Sequence, residues 1–123
     1  MQRLRMWGLT IAWAAVIVAV TGAPASTLPS APIVPGLDKL VHAALFGILA
    51  WLALHARARD RDAEIPTWML IVSLATFAAL DEWLQHFVPG RGADWMDWLA
   101  DMAGVLIAVR LFGMAPARRE IVS

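Results

Sequence analysis

The chain has 123 residues, 60% of them hydrophobic, and its ten basic residues balance ten acidic ones, so that the formal net charge is zero. This length predicts a single domain over residues 1–123, and a neutral chain gives no indication of a nucleic-acid partner. The absence of cysteine excludes disulfides, thiolate metal sites and cysteine nucleophiles, while the hydrophobic excess, gathered in long runs, is typical of membrane proteins.

Four apolar runs predict four transmembrane helices, since a helix of about 20 residues crosses the hydrocarbon core of a bilayer. The first run covers residues 6–23 and the second covers residues 40–56, with Asp38 as the expected N-cap. The third covers residues 66–80 and reaches full length only if it continues into DEWLQHF. The fourth covers residues 95–114 and includes two aspartates. The sequence therefore predicts an all-α, polytopic membrane protein.

The basic residues predict the orientation of these helices, because lysine and arginine are enriched in cytoplasmic segments. Arginines precede the first run, lie between the second and third runs, and follow the fourth, whereas the other two connections carry only Lys39 and Arg91. We therefore expect both termini in the cytoplasm and the proline-rich segment 23–36 outside, as an extended loop. Alternatively, the first run is the apolar region of a signal peptide cleaved at Ala23-Pro24-Ala25, which leaves the other helices in place.

This orientation brings six of the ten acidic residues to the outer side of the membrane. Within each predicted helix the polar residues are spaced three or four apart, so that they share a face. Ionised groups at membrane depth normally face a partner or a water-filled cavity. We therefore expect a polar cavity in the outer half of the bundle, with these members: Asp38, Lys39, His42, Glu82, Gln85, Arg91, Asp97 and Asp101.

Two segments resemble the VanZ-like family of membrane proteins. DKLVHAALF is similar to the family's opening motif D-K-x-x-H-x-x-x-F. DEWLQHFVPGRGADWMDWLADMAG is similar to its block D-E-x-x-Q-x-x-x-P-x-R-x-x-x-x-x-D-x-x-x-N-x-x-G. The resemblance is strongest over residues 38–108, and the chain departs from the pattern at Asp101, where the family usually has Asn. The extra carboxylate is expected to change the proton count of the site or to bind a cation.

The resemblance implies a small multi-pass protein of the bacterial cytoplasmic membrane that acts on lipid head groups or lipid-linked cell-envelope precursors. The family is named for an accessory factor in teicoplanin resistance, but nothing in this sequence indicates resistance itself. In an enzyme, we expect the catalytic residues to be His42, Glu82 and Asp97, with His42 or Glu82 as general base. The expected substrate-binding residues are Asp38, Lys39, Gln85, Arg91 and Asp101.

Structural interpretations of the same residues stay open. The Arg91 guanidinium is suited to hold a phosphate by its bidentate fork, or it pairs with Asp94 or Glu82 and locks the loop. His42 is a general base oriented by a carboxylate, or a hydrogen-bonded structural residue. The polar cluster offers ligand types suited to zinc, magnesium or manganese, but no H-E-x-x-H motif is present, and we predict no metal and no other cofactor.

Two further functions are consistent with the sequence. In the first, the protein is a non-enzymatic accessory factor that binds another membrane protein. In the second, it is a small proton- or cation-coupled transporter. Transport is disfavoured because the polar residues lie at one depth, whereas a relay needs groups across the membrane. Whether the protein is an enzyme is left open by the sequence.

Overall fold

The computed structural model describes residues 2–24, 36–92 and 94–114. All regular secondary structure in these ranges is helical, which confirms the all-α prediction. The proline-rich segment lies mostly outside the described residues, as does the last residue of the cleavage site considered above. In chain order the four helices are α1 (Gln2–Gly22), α2 (Leu37–Arg59), α3 (Thr67–Gln85) and α4 (Trp95–Met114).

The helix ends agree with the sequence in one case and correct it in another. Gly36, in the left-handed conformation with φ 82°, is the N-cap of α2. The prediction that Asp38 caps this helix is therefore wrong, although a carboxylate in the first turn still favours the positive end of the helix dipole. Pro66 is the N-cap of α3, where its missing N–H is harmless. The third apolar run is too short to span a membrane unless it continues into DEWLQHF, and α3 does continue past Leu80 to Gln85.

Three of the described helices, α1, α2 and α3, are long and apolar enough to cross a membrane. α4 has 20 residues but contains Asp97, Asp101 and Arg110, and its composition does not qualify it as a span. The composition therefore supports three of the four predicted transmembrane helices. Large apolar side chains on the outside of the bundle are exposed, such as Ile11 and Ile107 at 57% and 59%. Such a surface is expected of helices that face lipid.

Contacts between helix ends show that the helices alternate in direction. At one end of the bundle, the Trp7 Nε1–H at the start of α1 donates a 3.0 Å hydrogen bond to Asp60, just after α2. The ring of Phe112, near the end of α4, also contacts the end of α2. At the opposite end, Thr21 Oγ1 of α1 lies 2.7 Å from Asp81 Oδ1 of α3. α2 and α4 consequently run parallel, and both described ends of the chain lie at the same end of the bundle.

The closest contact in the bundle is between α2 and α4. A Cβ atom built on Gly104 would lie 2.0 Å from the carbonyl oxygen of Ala43, and one on Gly47 would lie 3.3 Å from the carbonyl oxygen of Gly104. Small residues permit this approach of two backbones, which is common between helices in membranes. Because the two helices are parallel, the contact also sets their first turns side by side.

Tryptophan side chains join two further helix pairs, α1 with α2 and α3 with α4. Trp13 Nε1–H of α1 donates a 2.9 Å hydrogen bond to the Leu45 carbonyl of α2. Trp98 Nε1–H of α4 donates a 3.1 Å hydrogen bond to the Ala75 carbonyl of α3. Both carbonyls belong to helix interiors, so each indole fixes the rotation of one helix against another. The apolar core between them includes the fully buried Phe46.

We expect Gly104→Ala to destabilise the protein, because the new Cβ meets main-chain atoms of Ala43 that cannot move aside as a side chain would. Overpacking of this kind typically costs about 1–3 kcal/mol. Gly113→Ala is the control in the same helix, since a Cβ at this position would have nothing within 4 Å and alanine has the higher helix propensity. The melting temperatures of the purified proteins in detergent measure the effect. Equal melting temperatures for the two variants would contradict the close helix contact.

Candidate functional site

Lys39 organises the polar end of the bundle. Its Nζ donates hydrogen bonds to Asp94 Oδ2 at 2.9 Å and to Asp38 Oδ2 at 3.1 Å, and a shorter one to Asp97. The Lys39 side chain is one-third exposed, whereas Asp97 is buried. The ammonium lowers the pKa of the Asp94 carboxyl, which precedes α4, from its ordinary value. One ammonium group thus connects the exposed rim of the cluster with its buried interior.

His42 lies between two carboxylates, one turn deeper on α2. Its Nδ1 is 2.9 Å from Asp101 Oδ1, and its Nε2 is 3.7 Å from Asp97 Oδ2. Asp101 is 1% exposed and His42 is also buried. When Asp101 is ionised it accepts a hydrogen bond from Nδ1–H, so that Nε2 faces Asp97. The sequence does not identify the carboxylate that orients His42, and the structure shows that both acidic partners, Asp97 and Asp101, belong to α4.

The last turns of α3 complete the cluster. Glu82 Oε1 accepts a 2.6 Å hydrogen bond from the backbone N–H of Asp94. One ligand atom each from Glu82, His42 and Asp101 lie within 4.8 Å of one another. Gln85 shares the helix face of Glu82, is 3% exposed, and its Nε2 has no hydrogen-bond partner among the described residues. α3 therefore contributes both a paired carboxylate and an unpaired amide donor to the interior.

The first helix also reaches the cluster, which the sequence does not predict. Asp81, buried on α3, has Thr21 Oγ1 of α1 at 2.7 Å, and the same hydroxyl lies 2.8 Å from the Ile17 carbonyl. The sequence pattern indicates no site residue in α1 and no role for Asp81. The available signal is weak: Thr21 is a polar residue in an apolar run, and Asp81 opens the acidic motif.

Arg91 binds backbone rather than carboxylate. Its Nε donates a 2.9 Å hydrogen bond to the Ala23 carbonyl and its NH2 group donates a 3.2 Å bond to the Val20 carbonyl. The last carbonyls of a helix have no partner within the helix, so the guanidinium stabilises the end of α1. Among the described residues Arg91 forms no ion pair with Asp94 or Glu82; Asp94 pairs with Lys39, and Glu82 accepts a hydrogen bond from the Asp94 backbone N–H. Its use as a phosphate anchor stays a prediction.

A groove with a volume of about 440 Å³ lies on the surface of α3 and α4, and Glu82 of the buried cluster is part of its lining. Its walls are almost entirely apolar, and Glu82 is its acidic lining residue. Indole rings are characteristic of the membrane interface, where their amphipathic character matches the head-group region. The groove is lined by Ala79, Glu82, Trp83, Trp95 and Trp98.

The structure brings together the following five of the predicted site residues: Lys39, His42, Glu82, Asp97 and Asp101. Gln85 lies on the same face of α3, buried one turn from Glu82. Asp38 is on the exposed rim, bound to Lys39. Arg91 contacts the end of α1 instead. The arrangement is a buried, mainly acidic cluster with one ammonium group at its rim and one apolar groove as an approach.

The VanZ/LLP1 family model matches residues 5–115, which reach from the first turn of α1 to the end of α4. The chain belongs to the VanZ/LLP1 family. This confirms the resemblance seen in the two sequence motifs. No curated protein and no solved structure matches the chain. Together with the apolar helices, the family assignment makes this a VanZ-like membrane protein.

We expect Lys39→Met to destabilise the bundle, because it leaves Asp97 buried without its cation. Removing one member of a buried ion pair costs about 3–5 kcal/mol, and solvent access to Lys39 reduces this figure. The double variant Lys39→Met, Asp97→Asn should recover much of the loss, since it also removes the buried carboxylate that Lys39→Met leaves without its lysine. Arg59→Met, at the exposed opposite end of α2, is the control. Thermal melting of the four purified proteins is the measurement, and a double variant no more stable than Lys39→Met would refute the pairing.

Proposed function

We propose that the protein binds a phosphate-bearing lipid, or a lipid-linked cell-envelope precursor, and chemically processes its head group. The observation that supports this most is the tryptophan-lined groove that ends at the buried Glu82. A long apolar chain suits the walls of the groove, and the polar cluster behind Glu82 suits a head group. Pockets of this kind, apolar with a few convergent polar groups, are typical of ligand sites.

In this proposal the protein spans the bacterial cytoplasmic membrane four times, with both termini in the cytoplasm and the cluster towards the outer leaflet. The positions of the arginines support this orientation. α4 carries charge, but Asp97 and Asp101 are buried against Lys39 and His42 rather than exposed to lipid. Arg110, near the opposite end, is long enough to reach the interface. α4 is thereby proposed as the fourth transmembrane helix despite its composition.

The roles of the residues follow from their positions. Lys39 is the partly exposed cation at the rim and attracts the phosphate. His42, Glu82 and Asp97 lie inside and contact the reacting group, with hydrolysis or group transfer at the head group as the reaction class. The Gln85 amide has no acceptor for its Nε2 among the residues that the structure describes, so this donor is available for a substrate oxygen. The apolar walls of the groove support a lipid substrate over a water-soluble one.

The non-enzymatic alternative has its own support. The contacts Lys39–Asp97 and His42–Asp101 join α2 to α4, so that the cluster would hold the bundle together even if it bound no substrate. In that case the protein is an accessory factor, and its partner is another membrane protein. The two proposals differ in whether neutral, isosteric substitutions in the cluster abolish function in a protein that still folds.

We expect Ala79→Phe to fill the groove and to reduce the phospholipid that copurifies with the protein at least severalfold. Ala79 lines the groove and is exposed. Thr76→Phe, an equal enlargement at an exposed position of the same helix outside the groove lining, is the matched control. Native mass spectrometry of both variants in the same detergent measures the retained lipid. Equal lipid retention in Ala79→Phe and Thr76→Phe would argue against the groove as the binding site.

We expect Glu82→Gln and His42→Gln to abolish rescue of a deletion strain while the protein still accumulates in the membrane. Glutamine preserves most of the shape and hydrogen bonding of glutamate, but it has no titratable group. Glu64→Gln, an exposed position in the connection between α2 and α3, serves as the control. Lipidomics and immunoblots of the same cultures provide the two measurements. Normal rescue by both cluster variants would eliminate the enzymatic proposal, and abundance falling together with rescue would favour the structural one.

A further inference from the structure

The buried cluster contains more acidic than basic side chains. Four carboxylates are buried at this end of the bundle: Asp81, Glu82, Asp97 and Asp101. Among the described residues, only Asp97 of these four has an ion pair with a lysine or arginine. Arg91 lies nearby, but its two hydrogen bonds go to backbone carbonyls of α1. Isolated carboxylates are costly to bury, so the cluster requires protons or a further cation.

A phosphate-bearing substrate makes this imbalance larger. A phosphate group brings further negative charge beside carboxylates in a region of low dielectric, where repulsion is strong. Among the described lysines and arginines, Lys39 is the one that pairs with carboxylates at the rim of the cluster. Its ammonium group already forms ion pairs with three aspartates. A cation that binds both the carboxylates and the phosphate resolves the conflict. The proposed substrate and the observed residues are therefore compatible when a metal ion lies between them.

The geometry points to a divalent metal ion held by His42, Glu82 and Asp101. The three residues come from α2, α3 and α4, all are buried, and their ligand atoms lie within 4.8 Å of one another. Metal–ligand bonds of about 2.0–2.2 Å place two ligands of one ion at most about 4.4 Å apart. Small side-chain shifts are thus enough to close the site. One imidazole and two carboxylates suit zinc or manganese better than calcium.

Gln85 supplies an observation that does not depend on the charge count. Its buried Nε2 lacks an acceptor among the described residues, and it projects from α3 one turn after Glu82. Buried amide donors are normally paired. Three protein ligands leave at least one coordination position open, and an oxygen bound there, from water or from phosphate, offers the missing acceptor. Gln85 thus indicates a ligand oxygen that the described residues do not provide.

The inference rests on the proposed function only for the identity of the incoming phosphate. It also modifies that function at one point: His42 and Glu82 act on the head group through the ion that they hold together with Asp101. Ion binding itself needs no substrate and is measured on the protein alone. Binding of lipid and binding of metal are therefore separate tests.

The experiment is titration of the full chain, purified in detergent and stripped with a chelator, with Zn²⁺ alone and with Mn²⁺ alone by calorimetry. We expect saturation at one ion per chain for at least one of the two metals. Each of the variants His42→Gln, Glu82→Gln and Asp101→Asn should weaken metal binding by about tenfold or more. Loss of even a residue that only positions a metal ligand commonly has an effect of this size. His86→Gln, an exposed histidine just after α3, should bind like the unaltered protein.

X-ray absorption at the metal edge of the unaltered protein gives a second reading that does not depend on the folding of any variant. It should show imidazole nitrogen and carboxylate oxygen at about 2.0–2.2 Å. The inference is overturned by absence of saturable binding, by unchanged affinity in the three cluster variants, by loss of binding in His86→Gln, or by a spectrum without imidazole. Ion binding without lipid retention would refute the proposed function alone. Lipid retention by a protein that binds no ion would refute the metal alone.

Discussion

The approach of Gly104 to the carbonyl oxygen of Ala43 is the contact on which the rest of the structure depends. Because residue 104 is a glycine and has no side chain, the parallel helices α2 and α4 pack with their backbones in contact. Their register is then fixed, and it places Lys39 beside Asp97 and His42 beside Asp101, pairs separated by 58 and 59 residues in sequence. A bulkier residue at this position would separate the helices and expose these pairs to lipid.

The same contact explains how an apolar bundle accommodates so much charge. A carboxylate in the hydrocarbon region is tolerated when it faces a partner inside the protein, and both aspartates of α4 do so. Buried ion pairs add little net stability, because desolvation offsets their attraction. The cluster is therefore poorly explained as a device for stability alone. The tryptophan-lined groove has Glu82 of the cluster in its lining, which favours a role in binding.

Much of the fold could be predicted because the relevant signals are local. The apolar runs located the four helices, and Pro66 marked the start of α3. The spacing of Asp97 and Asp101 correctly indicated a face turned into the bundle, and two motifs indicated the family before its match was known. The charges of α4, in contrast, leave its place as a fourth span a proposal.

The errors concern contacts that sequence spacing does not encode. The sequence does not identify the carboxylate that orients His42, because its partner Asp101 is set by the register of α2 against α4. Arg91 binds backbone carbonyls, and every residue has a backbone carbonyl, so residue types do not reveal these partners. Thr21 reaches Asp81 only because α1 packs against α3. Likewise, the N-cap of α2 depends on the left-handed conformation of Gly36, which the preference for aspartate at caps obscured.

The central claim is that the polar cluster faces the outer leaflet, where an envelope lipid can enter the groove. The chain has no cysteine, so single cysteines can be introduced without background at Asp38 and Asp62, exposed aspartates at opposite ends of the bundle. A membrane-impermeant maleimide applied to intact bacterial cells measures which position is outside. The account predicts labelling of Asp38→Cys in intact cells and of Asp62→Cys only after the membrane is permeabilised. The reverse pattern would place the cluster in the cytoplasm and contradict the account.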